Sequence, residues 1–531
     1  MRRLLAAAAL LLVVSCSSTN AYAQRRRAAS PVPTREWARG AVFYEIFVRS
    51  FFDSNGDGKG DFTGLTSKLD YVSSLGVDGI WLMPVFQSPS YHGYDTTDYE
   101  TIESDYGTNA DFQHFLEEAH KRGIRVILDF VMNHTSSQHP WFTDSASSPT
   151  SAKRNWYVWN ATNPGWTQPW GPGPTWYQDQ GKGEYYYAVF WSGMPDLNYR
   201  TLDVKSEMFR LSRLWLQRGV DGYRLDATRY LVEDGPGTGQ YDTPETHQLL
   251  KDYSKDVQQT RPDAVLFAEN TVDTATLATY YGDGVMNFNF PLASAIIDSV
   301  NGGDATRIVS TLRDMLNDYP QDAVDAPFLT NHDNTRIATQ LGNNASKLRD
   351  AAAILLTLPG APFIYYGEEL GLQNGPTSAD ESKRTPMPWS ASGGFTTGTP
   401  WFAYAPGLAQ SNVASETNDP QSLLSYYRNW IAARKRSTAL LKGTIAPLSA
   451  PAQILAFVRT SGNDRALVVH NLGNTAMTAG PFDVAAAKFD TIYADSGVTD
   501  PSAGDGGWMV TLPPHSSGAW RARDIGVSGV H

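Results

Sequence analysis

The chain has 531 residues, 41% hydrophobic and 18% charged, which excludes a disordered chain and leaves room for a large core and more than one domain. A formal net charge of −12 argues against nucleic acid or an anionic membrane as partner, since both select basic surfaces. The only cysteine is Cys16, so no internal disulfide can form.

Residues 1–23 read as an export signal. Arg2 and Arg3 precede an apolar run, Leu4 to Val14, too short to span a bilayer, which takes about 20 apolar residues. "VVSC" (13–16) has the form of a bacterial lipoprotein box with Cys16 as the lipidated residue, and "AYA" (21–23) that of an ordinary signal-peptidase site. The position of the sole cysteine favours lipidation. Either way the mature protein is expected outside the cytoplasm, secreted, periplasmic or anchored to the envelope, and monomeric. Residues 24–38 read as a basic, proline-containing tether.

From there a strand and helix rhythm sets in. "SLGVDGIWL" (74–82), "KRGIRVILDF" (121–130) and "QRGVDGYRLD" (217–226) each carry a glycine and then an apolar run. Gly76, Gly123 and Gly219 suit the left-handed residue past a helix end, and the runs suit strands buried on both faces. Eight strands are expected: 41–48, 79–84, 126–131, 222–226, 264–269, 284–288, 326–331 and 362–366. With the helical patterns between them, they predict an α/β fold built on a parallel (β/α)₈ TIM barrel.

Two regions break the rhythm. Residues 135–198 lack a helical period and hold seven of the 15 tryptophans, which marks an inserted subdomain after the third strand. Beyond Thr444, "ILAFVRT" (454–460), "RALVVHNL" (465–472), "FDTIYAD" (489–495) and "GWMVTLPP" (507–514) read as short strands of a C-terminal antiparallel β-sandwich. The expected domains are therefore barrel 39–134, insertion 135–198, barrel 199–443 and sandwich 444–531.

In a parallel barrel the active site lies at the C-terminal strand ends. Asp129, Asp226, Glu269 and Asp333 fall there, with Asn133, His134, Arg224 and His332 beside them. In "GYRLDA" (222–227), the two-residue strand period puts Arg224 and Asp226 on one face. A buried charge needs a partner, and a cation beside a carboxyl lowers its pKa by ~1–3 units. Asp129 is a candidate structural partner of a cation. Acids converging from several strands suit acid/base and nucleophilic work.

These segments resemble the α-amylase family, glycoside hydrolase family 13. "DFVMNH" (129–134), "GYRLDATRY" (222–230), "FAEN" (267–270) and "FLTNHD" (328–333) match its four signature segments in order, and "MPDLN" (194–198) matches a fifth. The resemblance covers roughly Trp37 to His531. It implies Asp226 as nucleophile, Glu269 as general acid/base and Asp333 as the carboxylate that holds sugar hydroxyls. It implies His134 and His332 as hydrogen-bond donors to the sugar in subsite −1, and Tyr94 as the aromatic platform beneath it. Asp95 and Arg336 resemble the pair that closes the pocket in exo-acting relatives, with a surface salt bridge as the alternative. The Trp-rich insertion offers either further stacking platforms or simply a subdomain core.

"DSNGDGKGD" (53–61) sets Asp53, Asn55, Asp57, the Lys59 carbonyl and Asp61 at alternate positions, the hard-oxygen set that Ca²⁺ prefers. Position 12 would be Gly64 rather than Glu, so it is not an EF-hand. It resembles the calcium loop of the oligoglucosidase-like branch. Asn133 is a candidate ligand of a second calcium between barrel and insertion.

The resemblance also bears on substrate. Ala227 follows the nucleophile, where Ala or Thr accompanies α-1,4 specificity and Val α-1,6. "MPDLN" is intermediate between the "QPDLN" of oligo-1,6-glucosidases and the "MPKLN" of neopullulanases, as in secreted bacterial α-amylases. The expectation is an α-amylase on α-1,4-glucans. An exo-acting α-glucosidase is the alternative, with a transglycosylase third. An inactive carbohydrate-binding relative is disfavoured because all three acids are present.

Overall fold

Three glycines turn the chain from helix to strand. Gly76 closes helix Leu69–Leu75 at φ 86°, and Gly123 and Gly219 take φ 74° and 108° just beyond helices Asn109–Lys121 and Leu202–Gln217. Such angles cost a side-chain-bearing residue more than glycine. The computed structural model describes residues 36–179 and 183–524. The export signal, Cys16 and the tether up to residue 35 lie outside the described residues.

Among the described residues the chain builds one eight-stranded parallel sheet. Its strands are β1 (Phe43–Ile46), β2 (Gly79–Leu82), β3 (Arg125–Phe130), β4 (Gly222–Leu225), β5 (Val265–Ala268), β6 (Met286–Phe288), β7 (Asp325–Ala326) and β8 (Phe363–Tyr365). Pairing runs unbroken from β7 down to β1 and on to β8, and a parallel bridge from Phe328 to Phe363 closes the ring. This is the (β/α)₈ barrel the glycine rhythm predicted, with strands trimmed by a few residues.

The two-residue strand period sorts the side chains. Phe43, Trp81, Ile127, Val265, Phe267, Phe288 and Phe363 form a cluster inside the barrel. Their neighbours Tyr44, Leu82, Leu128, Tyr223 and Leu225 belong to the outer core shared with the helices. Gly222 stands where β4 approaches β5 so closely that a Cβ would come 2.1 Å from the Val265 carbonyl oxygen.

The tether expectation fails at its end. The Trp37 ring lies tilted 5.7 Å from Phe43 and donates its indole N–H to the Asp263 carbonyl at 2.8 Å, and Ala38 is fully buried. An apolar ring beside the open floor of the barrel is drawn in to cover it. The insertion holds a three-stranded antiparallel sheet in the order Trp159–Asn160, Tyr185–Tyr187, Trp176–Gln178. It also holds a helix, Pro140–Ser147, that the sequence reading did not anticipate. Pro140 starts it and the His139 ring accepts from Trp141 N, but its eight residues are too few to display a period.

After helix Thr438–Lys442 the chain becomes all-β. Thr444–Pro447, Ile454–Ser461, Asp464–Asn471, Ser516–Arg523 and Lys488–Ala494 pair in that order, and Met477–Phe482, Gly507–Leu512 and Ser502–Gly504 form a second sheet. A separate core of Ile454, Leu467, Val469, Phe482, Val510, Leu512 and Trp520 fills this antiparallel domain. No helix among the described residues is long and apolar enough to cross a membrane.

Candidate active site

Arg224 sits in β4 in register with Asp129 on β3 and Phe267 on β5, and is 1% exposed. A guanidinium buried this deeply must be compensated. Its Nη1 lies 2.9 Å from both Asp129 oxygens and 2.7 Å from Asp226 Oδ1, and its Nη2 lies 2.7 Å from Glu269 Oε2. One cation therefore touches three carboxyls from three adjacent strand ends. Both bonds being 2.7 Å, the facing oxygens of Asp226 and Glu269 are at most roughly 8 Å apart, short of the ~9 Å end of the spacing in inverting glycosidases.

Asp226 ends β4, and the next residue turns abruptly. Ala227 adopts the left-handed conformation at φ 49°, and its N–H donates to Glu269 Oε2 at 3.3 Å. A β-branched side chain would be strained there, whereas alanine carries less bulk. Thr228 Oγ1 donates to Asn270 Oδ1 at 2.7 Å, tying the turn to β5.

Asp333 enters from the loop beyond β7. His332 is fully buried, its Nδ1 2.6 Å from Glu45 Oε1 and its Nε2 3.2 Å from Asp333 Oδ2. Arg384 Nη2 meets Asp333 Oδ1 at 3.0 Å and Asp380 Oδ2 at 2.9 Å. Its Nε donates to the His332 carbonyl at 3.1 Å and its Nη1 to the Tyr91 hydroxyl at 3.0 Å. The Tyr94 hydroxyl donates to Asp129 at 2.9 Å and lies 2.6 Å from His332 Nε2, with the two rings stacked at 5.4 Å. His134 Nε2 lies 3.1 Å from the Tyr94 carbonyl oxygen.

This environment separates the acids. Burial raises Glu269 above the ordinary glutamate range, the field of Arg224 opposes the shift and that of Asp226 adds to it. Burial likewise pushes Asp129 up to about 7. Three carboxyls around one guanidinium cannot all ionise cheaply, which favours the protonated form of the acids that burial raises. Burial opposes ionisation of Asp333 too, but His332 and Arg384 outweigh it and hold that carboxyl well below the usual range. Burial alone would depress His332, yet Asp333 and Glu45 raise it to about 9, so it is an imidazolium at neutral pH. His134, with burial dominant, is lowered and neutral. The mouth thus joins an acid raised by burial, a paired carboxylate and a fixed cation, the set needed to protonate a leaving group while a nucleophile attacks.

Asp226, Glu269, Asp333, Arg224, His134, His332 and Tyr94 thus come together. Asp95 and Arg336 do not form the expected pair. Asp95 accepts from the Ser88 hydroxyl at 2.7 Å and from Ser90, stapling its own loop. Arg336 is buried elsewhere, donating to the Lys383 and Tyr366 carbonyls at 2.9 and 2.7 Å under the rings of Tyr365 and Tyr366. Nε and Nη1 are spent on main-chain carbonyls, while Nη2 is buried with no hydrogen-bond partner and makes no ion pair with Asp95. Arg384 occupies the position beside Asp333 instead. Sequence reasoning missed it, as it missed Glu45, although a glutamate within the apolar strand "FYEI" carries the same signal as Arg224.

The 53–61 loop is curled by Asx turns. Asp53 Oδ1 accepts from Asn55 N, Asn55 Oδ1 from Asp57 N and Asp57 Oδ1 from Lys59 N, at 2.8–2.9 Å. The donor chemistry suits a hard cation. Among the described residues, however, no group of three or more His, Cys, Asp or Glu is placed to hold a metal. A calcium ion here would have to draw on the Asn55 amide and the Lys59 carbonyl as well as carboxylates. Asn133 Oδ1 and Asp196 Oδ2 are both buried and lack partners, and burial raises Asp196 well above its ordinary value. Asn133 lies within hydrogen-bond reach of Asp196.

A family model described as the alpha amylase catalytic domain matches residues 45–443, and one described as the alpha-amylase SusG C-terminal domain matches 454–517. Alpha-amylase 3 of Dictyoglomus thermophilum is 38% identical over 488 residues, 91% of this chain and 93% of that one. The trehalose synthase of Pimelobacter sp. is 34% identical, over 93% of this chain and 97% of that one. Among solved structures, the alpha-amylase from H. orenii superposes with a TM-score of 0.79 at 35% identity, over 91% of this chain and 99% of that chain.

Proposed function

The chain belongs to the α-amylase family, glycoside hydrolase family 13, and from that premise we propose that it hydrolyses the α-1,4-glucosidic bonds of starch and maltodextrins with retention of configuration. The observation that carries this reading is the single Arg224 guanidinium held 2.7 Å from both Asp226 and Glu269. Glu269, raised by burial, protonates the glycosidic oxygen. Asp226, paired with Arg224, attacks the anomeric carbon, and the bond to the leaving sugar breaks. Glu269, now ionised, takes a proton from water, whose oxygen displaces Asp226 and restores the α configuration. Asp333, held anionic by His332 and Arg384, binds sugar hydroxyls. Tyr94 packs against the C–H face of the same ring.

The exo-acting α-glucosidase reading leaned on an Asp95–Arg336 closure, and since Asp95 and Arg336 bond elsewhere that argument for exo action falls away. The trehalose synthase relative supports a second use of the same glycosyl-enzyme, in which a sugar hydroxyl replaces water as acceptor. Export, read from residues 1–23, suits a polymeric substrate met outside the cell. Calcium at Asp53, Asn55, Asp57, Lys59 and Asp61 is part of the proposal as a structural ion. It would neutralise the loop's carboxylates, and chelation should lower the melting temperature; an unchanged melt would remove it.

Early products from maltoheptaose test the activity. Mixed short maltooligosaccharides, absent with Asp226→Asn, are expected. Glucose alone would replace the amylase reading with the α-glucosidase, and no cleavage would end both.

A further inference from the structure

Three large hydrophobic side chains stand exposed among the described residues: Trp170 and Trp191 at 51% and Leu202 at 76%. Trp170 alone of these extends a row of rings that begins in the active site. Phe190 lies 5.3 Å from the His134 imidazole and 5.4 Å from Trp170, and Tyr230 lies 5.4 Å from Trp170 and 5.8 Å from Phe190. Phe190 and Tyr230 are themselves only partly buried.

The backbone beneath this row is fixed from both sides. Gln168 Nε2 donates to the Val189 and Phe190 carbonyls at 3.2 and 2.6 Å. Gln240, buried in the loop after β4, donates to the Thr167 carbonyl at 2.8 Å and accepts from the Tyr187 hydroxyl at 3.1 Å. Arg229 clamps Asp242 beside Tyr230 with Nη2 at 2.5 Å. Insertion and barrel are thus bolted together under three aromatic faces, one of them half in water. Leaving so much indole in water is unfavourable unless something covers it.

The row also has a side. Tyr230 belongs to the turn Thr228–Tyr230 that follows Asp226, and that turn is tied to Glu269: the Ala227 N–H donates to Glu269 Oε2 at 3.3 Å and Thr228 Oγ1 to the Glu269 carbonyl at 3.2 Å. Glu269 is the group that protonates the leaving oxygen, so rings beside it line the path of the departing sugar. Carbohydrate C–H faces pack on such rings.

Building on the hydrolase reading above, we propose that Trp170, backed by Phe190 and Tyr230, is an acceptor-side stacking site for glucose units of an α-glucan on the reducing-end side of the cleaved bond. The enzyme then gains on long substrates through Trp170 and gains nothing from it on substrates with a small leaving group.

Steady-state kinetics on maltoheptaose and on α-maltosyl fluoride, whose departing fluoride reaches no ring, test this in the full chain. Trp170→Ala should lower kcat/KM on maltoheptaose about tenfold, chiefly through KM, and leave the fluoride within about twofold. Trp170→Phe should restore most of the loss, and Trp191→Ala should change neither substrate. An equal loss on both substrates, or no loss on maltoheptaose, overturns the inference while the hydrolase reading stands. A wild-type protein that cleaves neither overturns the hydrolase reading and the acceptor site with it.

Discussion

The lower and upper halves of the barrel interior are made by the same strands and hold opposite chemistry. Below, the Phe363 ring lies 4.6 Å from Phe43, 4.9 Å from Phe267 and 4.7 Å from Phe288. Two residues beyond Phe43 on β1, Ile127 on β3 and Phe267 on β5 come Glu45, Asp129 and Glu269, and Arg224 on β4 pairs in register with Asp129. A single strand period separates a layer of rings from a layer of charges. Burying the rings stabilises the fold by roughly 25 cal/mol per Å² of apolar surface. Burying the charges carries a desolvation penalty that mutual pairing offsets. The lower layer is therefore expected to govern stability and the upper layer chemistry.

Substitutions can break that division. The largest effect is expected from Asp226→Asn, which should lower kcat on the order of 10⁴-fold or more. Its melting temperature should stay level or rise, because one carboxylate fewer crowds Arg224. Glu269→Gln should cost about 10²–10⁴-fold. The wild-type kcat/KM should fall on the alkaline side as Glu269 loses its proton, at a pH above the ordinary glutamate range because burial raises that group. Glu269→Gln should flatten that limb. Phe363→Ala should show the reverse signature, a loss of about 3–5 kcal/mol of stability with kcat/KM per folded molecule within a few-fold. Chemical denaturation of both variants checks the contrast. An Asp226→Asn protein as unstable as Phe363→Ala would place the fold's stability in the mouth.

The smallest effect sharpens the comparison through pH. The folded state raises His332 from 6.5 to about 9. Its contribution to stability is therefore complete below about pH 6.5 and lost as pH climbs through about 9. Melting curves of wild type and His332→Gln should differ most near pH 6 and converge above pH 9. A constant gap would mean that the imidazolium does not link Glu45 to Asp333.

The same division explains what the sequence disclosed. β-strands reveal inward charges because a polar residue in an apolar run has one physical excuse, a partner across the barrel. That is how Arg224, Asp226 and Glu269 were legible, and how Glu45 should have been. The loops gave less. Arg384 lies 51 residues beyond Asp333 in an aperiodic stretch, so nothing local marks it as the partner. Arg336 and Asp95 looked equally eligible, yet the tyrosines of β8 and its flank captured one and the serines of its own loop the other. The short helix at Pro140 was missed because its eight residues span about two turns, and strands Thr444–Pro447 and Ser502–Gly504 because four and three residues are too few to display a period.

Proton NMR of the first sugar released from maltoheptaose, recorded before mutarotation, tests the central claim most directly. Asp226 and Glu269 joined through Arg224 predict the α-anomer as the first-formed reducing end. A first product in the β configuration would mean that water attacks directly, and would contradict the assignment of Asp226 as nucleophile.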